Sequence, residues 1–250
     1  TVLHKWLKAG YVENGIHYPT RKGVPQGGII SPTISNMVLD GLEETVRCAV
    51  QRRCRINFIR YADDFICMVQ YQDDALHVEQ ALGERFSKFD LELHPEKTRT
   101  ISFGRYERKN AQRQQRRANT FDFLGFTHFC GVSRRGKFMV GRRTSRKKFR
   151  SKCKEMNDWL RRIRNHKKVK EWWPVLAAKL QGHYQYYGVS GNMRAISRFH
   201  SLTLRMALKW LNRRSQRKSF SWKRFNQYLE HYPLPRPKIV HNFYALSPVK

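Results

Sequence analysis

Two adjacent carboxylates, Asp63 and Asp64, interrupt an otherwise apolar run, Phe58-Ile59-Arg60-Tyr61-Ala62-Asp63-Asp64-Phe65-Ile66-Cys67-Met68-Val69. Aromatic and β-branched residues on both sides of a short polar break form a strand-turn-strand pattern, which puts the acids at a hairpin tip. Like charges at a tight turn repel each other and lose solvation against a core. A divalent cation relieves both penalties, and hard carboxylate oxygens favour Mg²⁺. Such a site suits phosphoryl transfer: one metal activates an attacking 3′-hydroxyl, and a second, roughly 3.5–4 Å away, steadies a triphosphate and its leaving oxygen. A double Asp also serves as a plain polar turn, the reading that fits Asp73-Asp74 of the same chain. Alone, the pair does not decide between the two.

Three further elements carry chemistry. In Gly23-Val24-Pro25-Gln26-Gly27-Gly28-Ile29-Ile30-Ser31-Pro32 the paired glycines let backbone approach a ligand closely, and the helix that follows offers its N-terminus to anionic groups. Gln26 can donate and accept hydrogen bonds at a base or ribose edge. A Gly/Pro turn ahead of a helix is the plainer account of this stretch. In Leu91-Glu92-Leu93-His94-Pro95-Glu96-Lys97-Thr98, Lys97 could neutralise or protonate a leaving pyrophosphate, or be one surface lysine among many. In Phe121-Asp122-Phe123-Leu124-Gly125-Phe126, a glycine between aromatics suggests a strand closely approached by other backbone.

The elements that must hold these residues alternate between helical and strand patterns. Val2, Leu3, Trp6 and Leu7 fall at helical spacing with Gly10 as a stop. Residues 30–46 read as one helix, with Ser31 as cap before Pro32 and Ile34, Val38 and Leu42 at helical intervals. Residues 75–89 read as a helix through Leu76, Val78, Leu82 and Phe86, whereas 100–103 and 121–129 read as strands. The polar stretch 105–118 reads as an exposed loop or hairpin. Beyond it the pattern is helical to about Tyr232, where Tyr232-Pro233-Leu234-Pro235-Arg236-Pro237 stops it.

Fifty Lys and Arg against 19 Asp and Glu leave a net charge of +31, an excess that makes sense when a polyanion offsets it. No apolar stretch approaches the roughly 20 residues a spanning helix needs, which argues against a membrane role. Five scattered cysteines, none in a Cys-x-x-Cys pair, support neither a disulfide framework nor a zinc knuckle. His128 beside Cys130 reads as packing rather than as a metal pair. The charge is concentrated. From Arg134 to Lys154 there is no acidic residue, and Arg142, Arg143, Arg146, Lys147, Lys148 and Arg150 crowd the segment, interleaved with Phe138 and Phe149. Phosphate contacts by such a stretch make affinity fall steeply with salt, and the aromatics offer anchors or stacking faces. A second basic cluster, Arg213, Arg214, Arg217, Lys218, Lys223 and Arg224, lies beside Phe220, Trp222 and Phe225. Trp172, Trp173, Tyr184, Tyr186 and Tyr187 read as core rather than as base-stacking residues.

In this order and at these separations, the four elements resemble the later palm motifs of reverse transcriptases, and in particular the group II intron-encoded reverse transcriptase/maturase family. Leu180-Gln181-Gly182-His183-Tyr184-Gln185-Tyr186-Tyr187 is similar to a pattern of that family's maturase (X, or thumb) domain. The resemblance implies an α+β chain: residues 1–132 a partial palm, an antiparallel sheet with packed helices, and 133–250 a basic helical thumb/maturase domain. It implies that Asp63 and Asp64 bind Mg²⁺, and that Pro25, Gln26, Gly27, Gly28 and Tyr61 line the nucleotide and template pocket. Lys97 matches the family's motif lysine, Phe123, Leu124 and Gly125 its primer grip, and Arg142, Arg143, Arg146, Lys147, Lys148 and Arg150 its nucleic-acid surface. The implied partners are group II intron RNA, an RNA template with a DNA primer, and deoxynucleoside triphosphates, with a homodimer left open. The implied setting is the bacterial cytoplasm, or an organelle in a eukaryote. Thr1 opens the chain inside a helical pattern without an initiator Met, so the family's fingers and its first catalytic Asp are expected upstream, and the piece by itself is expected to be inactive. The alternatives are a splicing maturase that binds RNA without catalysis, and a reverse transcriptase recruited to host defence.

Overall fold

The computed structural model describes residues 2–19, 30–50, 55–133, 135–214 and 220–243. The chain divides into two compact units, residues 1–100 and 101–250.

In the first unit, α1 (Val2–Lys8) is followed by a hairpin of β1 (Tyr11–Glu13) and β2 (Ile16–Tyr18). Its turn residues, Asn14 and Gly15, both have positive φ (52° and 81°), the geometry that tight hairpins select. Where one helix was expected over 30–46 there are two, α2 (Ser31–Val38) and α3 (Leu42–Ala49). Gly41 breaks them apart at φ 75°, a left-handed conformation that ends a helix at little cost only for glycine. The run around the paired acids forms the antiparallel hairpin β3 (Asn57–Tyr61) and β4 (Asp64–Met68), and α4 (Gln72–Ser87) follows. Asp73 and Asp74 lie in the first turn of α4 rather than in a turn between elements, where the helix N-terminus favours negative charge. Leu39, Leu42, Val46, Val78, Leu82 and Phe86 are buried together, and Phe58, Phe65, Cys67 and Val69 of the hairpin pack on them.

The second unit begins where a strand was expected over 100–103, yet those residues form no ladder; Phe103 instead meets Phe121 edge-on at 5.0 Å. The stretch expected as loop holds a short helix, α5 (Glu107–Arg113). A tertiary contact explains it: Glu107, only 2% exposed, accepts from the Arg116 guanidinium at 2.6 Å and from the Asn119 amide at 2.9 Å. The Arg116 bond, opposed by burial, holds the Glu107 carboxyl down at about 2. A carboxyl whose folded-state pKa is depressed adds stability that is complete above its unfolded value and is lost as pH falls toward 2. Glu107→Gln is therefore expected to lower unfolding stability at pH 7 by about 1–2 kcal/mol, part of the pair being screened by solvent at Arg116. The deficit should shrink as unfolding is followed from pH 5 to pH 2.

Residues 121–129, expected as a single strand, fold into a second hairpin. β5 (Thr120–Phe123), β6 (Phe126–Val132) and β7 (Phe138–Thr144) form an antiparallel sheet in that order. Because β6 pairs with both neighbours, this sheet spans the compositional boundary at residue 132, and the compact units separate earlier, at Thr100. Four helices follow: α6 (Arg146–His166), α7 (Val169–Tyr187), α8 (Met193–Leu211) and α9 (Trp222–His231). They enclose Leu160, Trp172, Leu176, Leu180, Tyr184, Ile196, Phe199 and Phe225. The proline-bearing tail leaves helix as expected. It packs Leu234 inward and passes its Tyr232 carbonyl to the Trp173 indole N–H at 3.1 Å. Antiparallel sheets and helix layers together make the chain α+β, and no helix of the described residues is long and apolar enough to cross a membrane.

Candidate active site

The β3–β4 register places Tyr61 opposite Asp64, leaving Ala62 and Asp63 as the two-residue tip. Alternation aims Phe58, Phe65 and Cys67 at the core, with Phe58 and Phe65 stacked at 5.5 Å and Phe65 reaching Phe86 of α4 at 6.4 Å. The other face carries Ile59, Tyr61 and Asp64, all exposed. Ala62 has φ 54°, an uncommon conformation for a residue with a Cβ, and it makes the reversal that exposes both acids. Among the described residues, Arg60 reaches the tip. Arg60 Nη1 donates to the Ala62 carbonyl at 3.3 Å and to Asn36 Oδ1 of α2 at 3.0 Å, so it braces the turn against the helix instead of neutralising the acids.

Among the described residues, neither Asp63 nor Asp64 forms an ion pair, although the chain carries a charge of +31. Two exposed, uncompensated hard-oxygen donors side by side fit a divalent cation. They supply only part of a coordination shell, and the described residues contain no group of three or more His, Cys, Asp or Glu side chains suited to a metal. Tyr61 stands beside the pair with an exposed ring, and Lys97 is exposed in a turn closed by its own amide bonding to the His94 carbonyl at 3.1 Å. Pro25, Gln26, Gly27 and Gly28 lie outside the described residues. His128 and Cys130 are engaged in packing: the imidazole stacks on Phe121 at 4.9 Å, and burial, helped by the Arg142 cation, holds it below the ordinary histidine range. Cys130 accepts from the Gly104 amide at 3.4 Å.

In the second unit, Phe123, Leu124 and Gly125 form the end of β5 and the turn into β6. Leu124 and Gly125 both have positive φ, 48° and 78°. Neighbours engage both turn carbonyls: Tyr186 Oη of α7 donates to that of Leu124 at 2.9 Å, and the Ser145 amide to that of Gly125 at 2.9 Å. Ser145 also caps α6, accepting from the Lys148 amide. A second clamp ties the end of β7 to the helices, since Asn192 accepts from the Thr144 amide and donates to the Tyr187 carbonyl, each at 2.8 Å. The turn, the start of α6 and the end of α7 are thus one construction. A Cβ on Gly125 would meet Tyr187 Oη at 3.2 Å. Gly125→Ala should cost about 1–2 kcal/mol from left-handed strain alone, read as a lower urea midpoint at unchanged slope.

Of the basic residues, Arg143, Arg146, Lys147, Lys148 and Arg150 are exposed, whereas Arg142 is half-buried with its guanidinium 5.0 Å from the Phe243 ring centre. Phe149 and Trp159 pack on the helical core, which makes them anchors and not stacking faces. In the second cluster Arg213, Arg214, Lys223 and Arg224 are exposed beside an exposed Trp222, Phe225 is core, and Arg217 and Lys218 lie outside the described residues. Four of the five aromatics expected as core are buried; Tyr186 is 52% exposed.

Protein YkfC of Escherichia coli (strain K12) is 29% identical over 130 residues, 40% of this chain and 34% of that protein. The group II intron-encoded protein LtrA of Lactococcus lactis subsp. cremoris, including that of strain MG1363, is 47% identical over 45 residues, 18% of this chain and 8% of LtrA. These relatives are thus matched over about a third of their length or less. The model of the family described as reverse transcriptase (RNA-dependent DNA polymerase) matches residues 1–128, just over half of the 250. That match takes in the acid-tipped hairpin, the Lys97 turn and the start of the second hairpin, and on that ground the chain belongs to the reverse transcriptase family.

Proposed function

We propose that this chain is the later palm and the thumb of an RNA-directed DNA polymerase encoded by a group II intron, which also binds the intron RNA and assists its splicing and mobility. The palm-derived motifs occupy residues 1–132, and the basic thumb/maturase part occupies 133–250. The observation that carries the reading is the pair of exposed carboxylates, without an ion pair among the described residues, on a braced hairpin tip in a chain of charge +31. The match of the family model over that hairpin and the local likeness to LtrA support it.

In this reading Asp63 and Asp64 hold Mg²⁺, whose bound form acidifies a primer 3′-hydroxyl and offsets triphosphate charge. The chain's own residues position the reactants. Pro25, Gln26, Gly27, Gly28 and Tyr61 line the nucleotide and template pocket, and Lys97 offers a proton to the departing pyrophosphate. Phe123, Leu124 and Gly125 support the primer. With both turn carbonyls engaged inside the protein, that support comes from side chains and amide N–H groups. Arg142, Arg143, Arg146, Lys147, Lys148 and Arg150 hold phosphates of template–primer or intron RNA. The direct test is extension of a DNA primer on an RNA template by full-length protein with Mg²⁺ and deoxynucleoside triphosphates. Faithful extension of the primer is expected, and a protein that binds the hybrid but adds no nucleotide would point to the splicing maturase without catalysis.

A further inference from the structure

We infer that Tyr186 is a preformed stacking platform for a nucleic-acid strand passing the Leu124–Gly125 turn. The inference deepens the proposed function and rests on its nucleic-acid reading, but not on catalysis.

The preceding turn of α7 faces inward: His183 and Tyr184 are buried, as is Tyr187 next in sequence. Tyr186 alone among these aromatics turns to solvent, at 52% exposure, yet two rings and a hydrogen bond hold it. It lies nearly parallel to Phe126, with centroids 5.9 Å apart and planes 15° apart, and it meets Tyr187 edge-on at 4.8 Å. Its hydroxyl is tied to the Leu124 carbonyl at 2.9 Å. An exposed aromatic with all its torsions fixed loses little entropy on accepting a partner, and a flat apolar face suits any base or ribose.

Charge identifies the occupant. Lys148 runs beside the same turn, its Cγ 3.7 Å from where a Gly125 Cβ would stand, and Arg146, Lys147 and Arg150 are exposed on the same helical turns. No acidic residue occurs between Arg134 and Lys154. A flat ring tied to a turn that Lys148 also lines fits a polyanion that carries bases, with a phosphate on Lys148 and one nucleotide against Tyr186.

The test is binding of a fluorescein-labelled DNA primer annealed to an RNA template, titrated with the full chain over a range of salt. Stacking is not electrostatic. Tyr186→Ala should therefore weaken binding about tenfold at every salt concentration, with the slope of log affinity on log salt unchanged. Tyr186→Phe keeps the ring and should stay within about threefold of wild type, and Lys148→Ala should reduce the slope by about 1. The unfolding midpoint of Tyr186→Ala should account for none of the loss. Wild-type binding by Tyr186→Ala would overturn the inference, as would an equal loss in Tyr186→Phe or a loss that follows unfolding. If wild type itself fails to bind the hybrid, the nucleic-acid reading falls along with it, an outcome plainly distinct from the others.

Discussion

Replacing Asp63 by Ala is expected to reduce primer extension by full-length protein at least about 10³-fold, on the order of 4 kcal/mol of transition-state stabilisation. The expectation follows from position. Asp63 is at the tip of a hairpin whose inner face is anchored by Phe58 and Phe65, and its own side chain is exposed and supports no packing. An exposed substitution of this kind moves stability by no more than about 0.5 kcal/mol, so lost activity would not reflect an unfolded protein. Binding of the RNA–DNA hybrid should persist, because removing one negative charge from a chain of +31 disfavours no polyanion. Asp64→Ala should behave alike, and chelation of divalent ions should abolish extension by wild type. Undiminished extension by Asp63→Ala would remove the hairpin from the chemistry.

The second large effect is the response of RNA binding to salt. If six phosphates are engaged, affinity should fall roughly 10³-fold between 50 and 200 mM monovalent salt. Arg143, Arg146, Lys147, Lys148 and Arg150 are exposed and are expected to supply most of the contacts. The first acid of α6, Glu155, pairs with Lys152 at 2.7 Å, and among the described residues none of these five forms an ion pair. Titrations of the chain with labelled RNA at several salt concentrations measure the slope directly. Each single replacement, such as Lys147→Ala, should lower it by about 1 without choosing among RNA sequences. A flat profile would mean that the basic stretch is a solvated surface and not a phosphate-binding one.

Much of this organisation is legible from local patterns. The strand-turn-strand signature around Asp63 and Asp64 becomes β3 and β4, and the spacing of Val78, Leu82 and Phe86 becomes the buried side of α4. The β1–β2 hairpin is legible too, for Asn14-Gly15 is the strongest short-range hairpin signal. Reading 30–46 as one helix went wrong because Ile34, Val38 and Leu42 keep helical spacing across Gly41, and periodicity does not register a single left-handed residue. α5 has no apolar stripe to find; a buried carboxylate and an arginine beyond the helix hold it. Residues 100–103 look like a strand, but Phe103 is held by a ring contact with Phe121 instead of a ladder.

By itself the sequence determined the charge, the pair of acids and their setting between apolar arms, the order of the motifs, and through them the reverse transcriptase family. All of these depend on residues near one another along the chain or on sums over it. Only tertiary structure decided that Tyr186 and not Tyr187 faces solvent, that Arg60 braces the acid-bearing turn against Asn36, and that one sheet joins residues 120–144 across a change in composition. Those outcomes turn on which distant groups satisfy a carbonyl or cover a ring. A helix presents neighbouring aromatics at angles that differ by about 100°, and packing partners more than 50 residues away in the chain choose which of them is buried.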